Sequence, residues 1–206
     1  MMAIGPCAND FAWVNQTVAF WQEYDPASRT DLSCCAHRIN DGLFFIDPIR
    51  LAPEAATALV EQSIPRAILL TNGNHARAAR VLGRQWAIPI FAAAGLEREL
   101  GFAPDGELKP GVTYWDCVEV LDLSGASPGE VAIYRRDQEI LSFGDAFIHL
   151  PGFGFSLLPE KYCLNARQLE IAVRQLRDVP VRLLTFAHGY PVTMKAQERL
   201  HELLGD

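Results

Sequence analysis

Short β-like runs alternate with helical runs in both halves of the chain, and this alternation is the feature that most constrains its fold. The first half predicts strands at Phe11–Tyr24, Ser33–Ile39, Leu43–Ile46, Arg66–Leu70 and Ile88–Ala92, and helices at Pro53–Ser63 and His75–Trp86. The second half predicts strands at Val118–Leu123, Glu130–Arg135, Glu139–Phe143 and Val181–Phe186, and helices at Asn165–Arg177 and Thr193–Leu204. Neither a linker nor an internal repeat divides the pattern, so we expect one α+β domain over residues 1–206.

Composition limits the function classes. Half of the 206 residues are apolar, which is enough to build a sizeable core, and the net charge is -7 with no basic run. This charge argues against nucleic-acid binding as the main task. No apolar stretch approaches the roughly 18 residues of a membrane span, and Met1–Asp10 lacks the basic and apolar regions of a signal peptide. We therefore expect a cytoplasmic protein without a membrane partner, whose five cysteines are reduced.

Four segments in a fixed order carry a family resemblance. They are Phe45–Pro48 at the end of a hairpin, Ile68–Arg77, Leu123–Glu130 followed by a strand pair and Phe143–Asp145, and Phe186–Pro191. Together they resemble the metallo-β-lactamase superfamily of hydrolases, from about residue 11 to residue 204. The resemblance implies an αββα sandwich, in which two β-sheets lie face to face with helices on both outer faces and the site lies at one sheet edge.

The sequence departs from that family at its metal ligands. The family loop Thr-His-x-His-x-Asp-His, its Pro-Gly-His turn and two later ligands fall here on Asn72, Asn74, Ala76, Arg77, Ala126, Asp145 and His188. Only Asp145 and His188 are residue types that ligate zinc well. Amides are weak ligands, and the guanidinium of Arg77 brings a permanent positive charge to the place of a cation.

The resemblance and the side-chain chemistry define a candidate pocket. Its expected members are Asn72, Asn74, His75, Arg77, Asp145 and His188. We expect Arg77 to pair with Asp145 as a counter-charge, the alternative being that Arg77 points to solvent. His75 falls on a variable position of the family loop, where it could cap the helix or turn toward the pocket. His188 either serves the site directly or holds its shape through hydrogen bonds.

Other sequence features receive a structural interpretation. His37, His149 and His201 are given no site role, and the aromatic segment Gly152–Phe155 is expected to be a flexible loop that lines or covers the pocket. Ser124, Ser127 and Ser142 flank the pocket, but the chain has no Gly-x-Ser-x-Gly motif of a serine hydrolase.

Three functions remain open at this point. The first is a protein that has lost the usual metal chemistry, needs no cofactor, and binds a small polar or anionic molecule or acts as a scaffold. The second is a metal-dependent hydrolase, with zinc or another divalent ion on Asp145, His188 and a third ligand such as His75. The third is a structural role in which N-terminal aromatic residues form a homo-oligomer contact; these residues are Trp13, Phe20, Trp21 and Tyr24.

Overall fold

The computed structural model of the chain describes residues 5–40 and 42–205. The strands of the first half are β1 (Cys7–Ala8), β2 (Ala12–Trp13), β3 (Val18–Asp25), β4 (Thr30–Ile39), β5 (Gly42–Ile46), β6 (Arg50–Leu51), β7 (Ile64–Leu69), β8 (Ile90–Ala92) and β9 (Gly106–Glu107). The strands of the second half are β10 (Thr113–Tyr114), β11 (Val118–Asp122), β12 (Val131–Arg135), β13 (Ile140–Phe143), β14 (Phe147–Leu150), β15 (Gly154–Leu157) and β16 (Leu183–Phe186). The helices are α1 (Pro53–Val60), α2 (Ala79–Trp86), α3 (Glu97–Leu100), α4 (Ala166–Ala172) and α5 (Ala196–Leu204), with 3-10 segments at Glu160–Tyr162 and Val173–Asp178.

Two larger sheets contain most of these strands. Over the described residues, the first sheet has seven strands in the order β2-β3-β4-β5-β7-β8-β9, and the second has five in the order β10-β11-β12-β13-β16. In the first sheet β5 pairs in parallel with β7, and in the second β13 pairs in parallel with β16. Parallel neighbours end at the same edge of a sheet, so each sheet brings two strand ends together.

The core has three layers, as expected for helices on both outer faces of a sandwich. Between the sheets, Phe44 and Leu69 of the first sheet share a buried cluster with Ile133 of the second. On the outer face of the first sheet, Phe45 packs in a cluster with residues of α1 and α2. On the outer face of the second, Phe143 packs in a cluster with residues of α4 and α5. The αββα arrangement expected from the resemblance is confirmed.

Adjacent residues of one strand pack into different layers of the core. Cys34 belongs to the outer cluster of the first sheet and Cys35 to the cluster between the sheets. This is the alternation that an extended backbone imposes. The five cysteines are free thiols, in agreement with the expected reduced state.

Several boundaries differ from the expected ones. The second helix begins at Ala79 instead of His75, because the preceding residues turn sharply at Arg77 (φ 32°). Of the expected loop Gly152–Phe155, Gly152 and Phe153 form a turn, whereas Gly154 and Phe155 lie in β15, which pairs antiparallel with β14. The hairpin between β4 and β5 forms as expected, although Asp41 of its turn lies outside the described residues.

Two expectations concern surfaces. In the N-terminal aromatic segment, Phe20 and Trp21 are buried in the core, whereas Tyr24 is exposed. The homo-oligomer therefore stays a prediction. In the part of the chain that the structure describes, none of the helices has the length and apolar character needed to cross a membrane.

The layer between the sheets generates a stability prediction. Ile133 is 1% exposed in that layer, so Ile133→Ala should lower the free energy of unfolding by about 2–5 kcal/mol, measured by urea unfolding. The matched control is Ile171→Ala on α4, where the side chain is 59% exposed and the change should stay within about 0.5 kcal/mol. Equal losses in the two variants would contradict the assigned core.

Candidate functional site

Four strand ends meet at one edge of the sandwich. Asp47 follows β5, Thr71 lies two residues after β7, Asp145 follows β13, and His188 follows β16. Helix α2 begins only at Ala79, so His75 lies in the irregular segment between β7 and α2 and not in a helix. The site is therefore built on the ends of buried strands, which hold its side chains more rigidly than long loops would.

Asp47 organises the first part of the site. Its carboxylate is 1% exposed and accepts hydrogen bonds from the Thr71 backbone N (2.9 Å) and the Thr71 hydroxyl. The Nδ1 atom of His75 donates to the same carboxylate at 2.8 Å. With Nδ1 bound in this way, the ring of His75 is oriented so that Nε2 points away from Asp47 and into the site.

Asp145 is the centre of the site. Its Oδ1 atom lies 3.1 Å from Nε2 of His75 and 3.3 Å from Nε2 of His188. Its Oδ2 atom accepts hydrogen bonds from the Ser127 hydroxyl (2.6 Å), Asn72 Nδ2 (3.1 Å) and Asn74 Nδ2 (3.4 Å). The carboxylate thus faces two imidazoles with one oxygen and three neutral donors with the other.

His188 is oriented in the same manner as His75. Its Nδ1 atom donates to the backbone carbonyl of Asp31 at 3.1 Å, which leaves Nε2 facing Asp145. His149, on β14, holds the backbone of this loop, because its backbone N–H donates to the backbone carbonyl of His188 at 3.0 Å. The expected structural role of His149 is consistent with this contact.

The charges of the site perturb its pKa values strongly. Burial and the charge of Arg77 lower the pKa of His75, but the attraction of Asp47 and Asp145 outweighs both and raises it to about 9. Burial alone would raise the pKa of Asp145, but the adjacent imidazoles hold it well below its usual range. Burial lowers the pKa of His188, and the hydrogen bond to Asp145 only partly opposes this.

Glu130 is a buried carboxyl group behind the site, and the sequence patterns did not indicate it. One of its oxygens accepts from Asn72 Nδ2 at 2.7 Å and the other from the backbone N of Ala146 at 3.0 Å. Burial, followed by the charge of Asp145, raises its pKa to about 8. A Cβ atom on Gly144 would lie 2.7 Å from a Glu130 oxygen, so a larger residue at this position would displace the Glu130 carboxyl group.

The expected pairing of Arg77 with Asp145 is wrong. The guanidinium binds three backbone carbonyl oxygens instead, those of Ser33 (2.7 Å), Asp47 (3.0 Å) and Ala187 (3.1 Å). No ion pair joins Arg77 to Asp145 among the described residues, because His75 already supplies the positive partner of that carboxylate.

The other expected pocket residues do come together. Asn72, Asn74, His75, Asp145 and His188 form one connected cluster, with Arg77 at its edge 3.5 Å from Nε2 of His188. Sequence reasoning placed Ser127 beside the pocket, and it missed Asp47 and Glu130 as contributors. The hairpin-end segment Phe45–Pro48 already contained Asp47, but nothing in it indicated contact with a histidine 28 residues away.

Comparison with known proteins agrees with the fold. The family model described as the metallo-β-lactamase superfamily matches residues 14–206. The chain belongs to this superfamily. No curated protein matches it in sequence.

Solved structures of metallo-β-lactamases resemble the chain in fold. The structure of DIM-1 metallo-β-lactamase has a TM-score of 0.73 with 13% identity, covering 96% of this chain and 98% of that one. The enzyme from Hirschia baltica has a TM-score of 0.72 with 15% identity over 95% and 97% of the two chains. For the BLEG-1 B3 metallo-β-lactamase the TM-score is 0.63 with 22% identity over 90% and 100%.

The pKa values of the site predict how stability depends on pH in metal-free protein. The pKa of His75 rises from an ordinary 6.5 to about 9 on folding, so its proton stabilises the fold fully below pH 6.5 and this stabilisation is lost as the pH rises through about 9. The pKa of Glu130 rises from 4.5 to about 8, so its contribution also falls with rising pH, over a lower range. We expect the free energy of unfolding in chelator to decrease between pH 6.5 and 9, measured by urea titrations.

Two variants separate these contributions. His75→Gln should remove the decrease near pH 9 and Glu130→Gln the decrease below pH 8, while His201→Gln on α5 should leave the profile unchanged. A His75→Gln profile identical to that of the unmodified protein would contradict the assignment.

Proposed function

We propose that this metallo-β-lactamase-fold chain is a hydrolase whose site holds a single divalent metal ion on His75, Asp145 and His188. The proposal is supported by three possible ligand atoms, one from each residue, that all lie within 4.8 Å of one another. Two imidazole nitrogens and one carboxylate oxygen are a common set of three protein ligands at a catalytic metal, which leaves a position open for water.

The orientation of the two imidazoles is the observation that carries the proposal. Each ring donates its Nδ1 hydrogen to a fixed acceptor, so Nε2 of each ring faces Oδ1 of Asp145. In the metal-free protein a proton joins His75 to Asp145, and a divalent ion that displaces this proton would be held by all three residues. Separations of 3.1 and 3.3 Å suit ligands of one ion, because bonds of about 2.0–2.2 Å place tetrahedral ligand atoms about 3.4 Å apart.

The two-metal ligand set of the family does not fit this chain. Of its seven positions, Ala76 and Ala126 offer no ligand atom, and Arg77 offers only donors. The Nδ2 groups of Asn72 and Asn74 point at Asp145, and these groups are donors and not ligands. A donor set for one ion is therefore the fit that the residues support.

The chain's own residues supply the rest of the proposed chemistry. A bound divalent ion lowers the pKa of a coordinated water and polarises a carbonyl or phosphoryl oxygen. Asp47 holds His75 in the tautomer that leaves Nε2 free, and the carbonyl of Asp31 does the same for His188. Ser127 and the two asparagines hold the other oxygen of Asp145, so that the carboxylate cannot rotate.

A metal-free site that binds a small polar or anionic molecule is the second candidate function. It is favoured by the charges, because protonated His75 and Arg77 together offset Asp47 and Asp145 without an ion. The hydrogen-bond donors disfavour it. Both Nδ2 hydrogens of Asn72 face Glu130 and Asp145, and those of Asn74 face Ser127 and Asp145, which leaves neither Nδ2 group a hydrogen for an anionic ligand.

Metal content distinguishes the two candidates. Protein purified without chelator and then supplied with Zn²⁺, Mn²⁺ or Fe²⁺ should contain close to one ion per chain by elemental analysis. His75→Gln and Asp145→Asn should each reduce this content to near zero, because each removes one of three ligands. His201→Gln, a histidine on α5 outside the cluster, is the matched control and should retain the metal.

Activity and ligand measurements complete the test. The metal-loaded protein should hydrolyse at least one member of a panel of esters, thioesters and phosphodiesters, and Asp145→Asn should not. If no ion binds and inorganic phosphate or a carboxylate raises the melting temperature instead, the single-metal proposal is wrong and the metal-free candidate replaces it.

A further inference from the structure

Arg77 makes an unusually complete set of contacts for a side chain at the edge of a site. Its Nη1 atom donates to the carbonyls of Ser33 and Asp47, and its Nη2 atom donates to the carbonyl of Ala187 and faces Nε2 of His188. A guanidinium carries two hydrogens on each Nη atom. These four hydrogens are therefore directed at protein atoms.

These acceptors lie on both sheets. Ser33 is in β4 and Asp47 follows β5, which are strands of the first sheet, whereas Ala187 follows β16 of the second. The same seam is closed by two further bonds, from the Ser33 backbone N to Ala187 O (2.8 Å) and from the Gly189 backbone N to the Ser33 hydroxyl (3.0 Å). Arg77 thus lies where the two sheets meet beside the site.

The backbone of Arg77 is held in a conformation that disfavours arginine. Its φ of 32° lies in the left-handed region, which side chains with a Cβ atom rarely adopt. Such a conformation persists only when the surroundings hold it in place. The three carbonyl contacts are the interactions that do so here, and the turn they maintain also places His75 over Asp47.

We propose that Arg77 is a positioning residue that joins the loops carrying Asp47 and His188 and thereby keeps Nε2 of His188 against Asp145. Lysine cannot replace it, because an ammonium group has three donors at one point, whereas the planar guanidinium spans carbonyls on separate segments. The positioning itself does not depend on a metal ion. Its consequence for metal affinity rests on the proposed function.

Amide hydrogen exchange in chelator tests the positioning without any metal. Arg77→Gln and Arg77→Lys should both accelerate exchange of the Ser33 and Gly189 amides, which bond across the seam, while amides of α5 keep their rates. Arg80→Gln is the matched control, since Arg80 is exposed on α2 three residues away, and it should change neither set. Unchanged exchange at Ser33 and Gly189 in both Arg77 variants, or full rescue by lysine, would overturn the proposal.

Metal titration separates this proposal from the proposed function. At a temperature where circular dichroism shows each variant folded, the Kd for Zn²⁺ should rise about 10- to 100-fold in Arg77→Lys, as it does when other groups that orient metal ligands are removed. If the unmodified protein binds no ion but exchange accelerates as expected, the metal site fails and the positioning role stands. If the unmodified protein binds one ion and both Arg77 variants bind it with the same Kd, the positioning role fails and the metal site stands.

Discussion

The hydrogen-bonded line from Asp47 through His75 to Asp145 is the interaction on which the site depends. It connects the end of β5 in the first sheet to the end of β13 in the second, through one imidazole that is 3% exposed. Two buried carboxylates would be costly without a positive partner between them. His75 therefore supplies the positive charge between the two carboxylates and links the two sheets at the site.

The remaining polar groups of the site are arranged around this line. Asn72, Asn74 and Ser127 donate hydrogen bonds to Oδ2 of Asp145. Asn72 also donates to the buried carboxyl group of Glu130. Neutral donors thus bind Oδ2 of Asp145, and the two imidazoles face Oδ1.

Much of the fold could be predicted from sequence, because strands and helices of this kind follow local patterns. The stripe of apolar residues in Asn165–Arg177 placed that helix within a residue or two, although its second half tightens into a 3-10 segment at Val173–Asp178. The hairpin of β14 and β15 escaped prediction, because Gly152 and Gly154 resemble a loop until their neighbours pair across it. The site was only partly predictable, since Glu130 looks like an ordinary strand residue and contacts Asn72, 58 positions away.

By itself, the sequence determined the family and the layered αββα architecture, because these depend on local periodicity and on the order of short motifs. Only the tertiary structure decided which side chains pair with each other in the site. Arg77 and His75 stand two residues apart, and either could have served as the counter-charge of Asp145. The left-handed turn at Arg77 sends its guanidinium to three backbone carbonyls and leaves the imidazole of His75 to face the carboxylate. That choice depends on where the ends of β4, β5 and β16 meet, which no local pattern in the chain records.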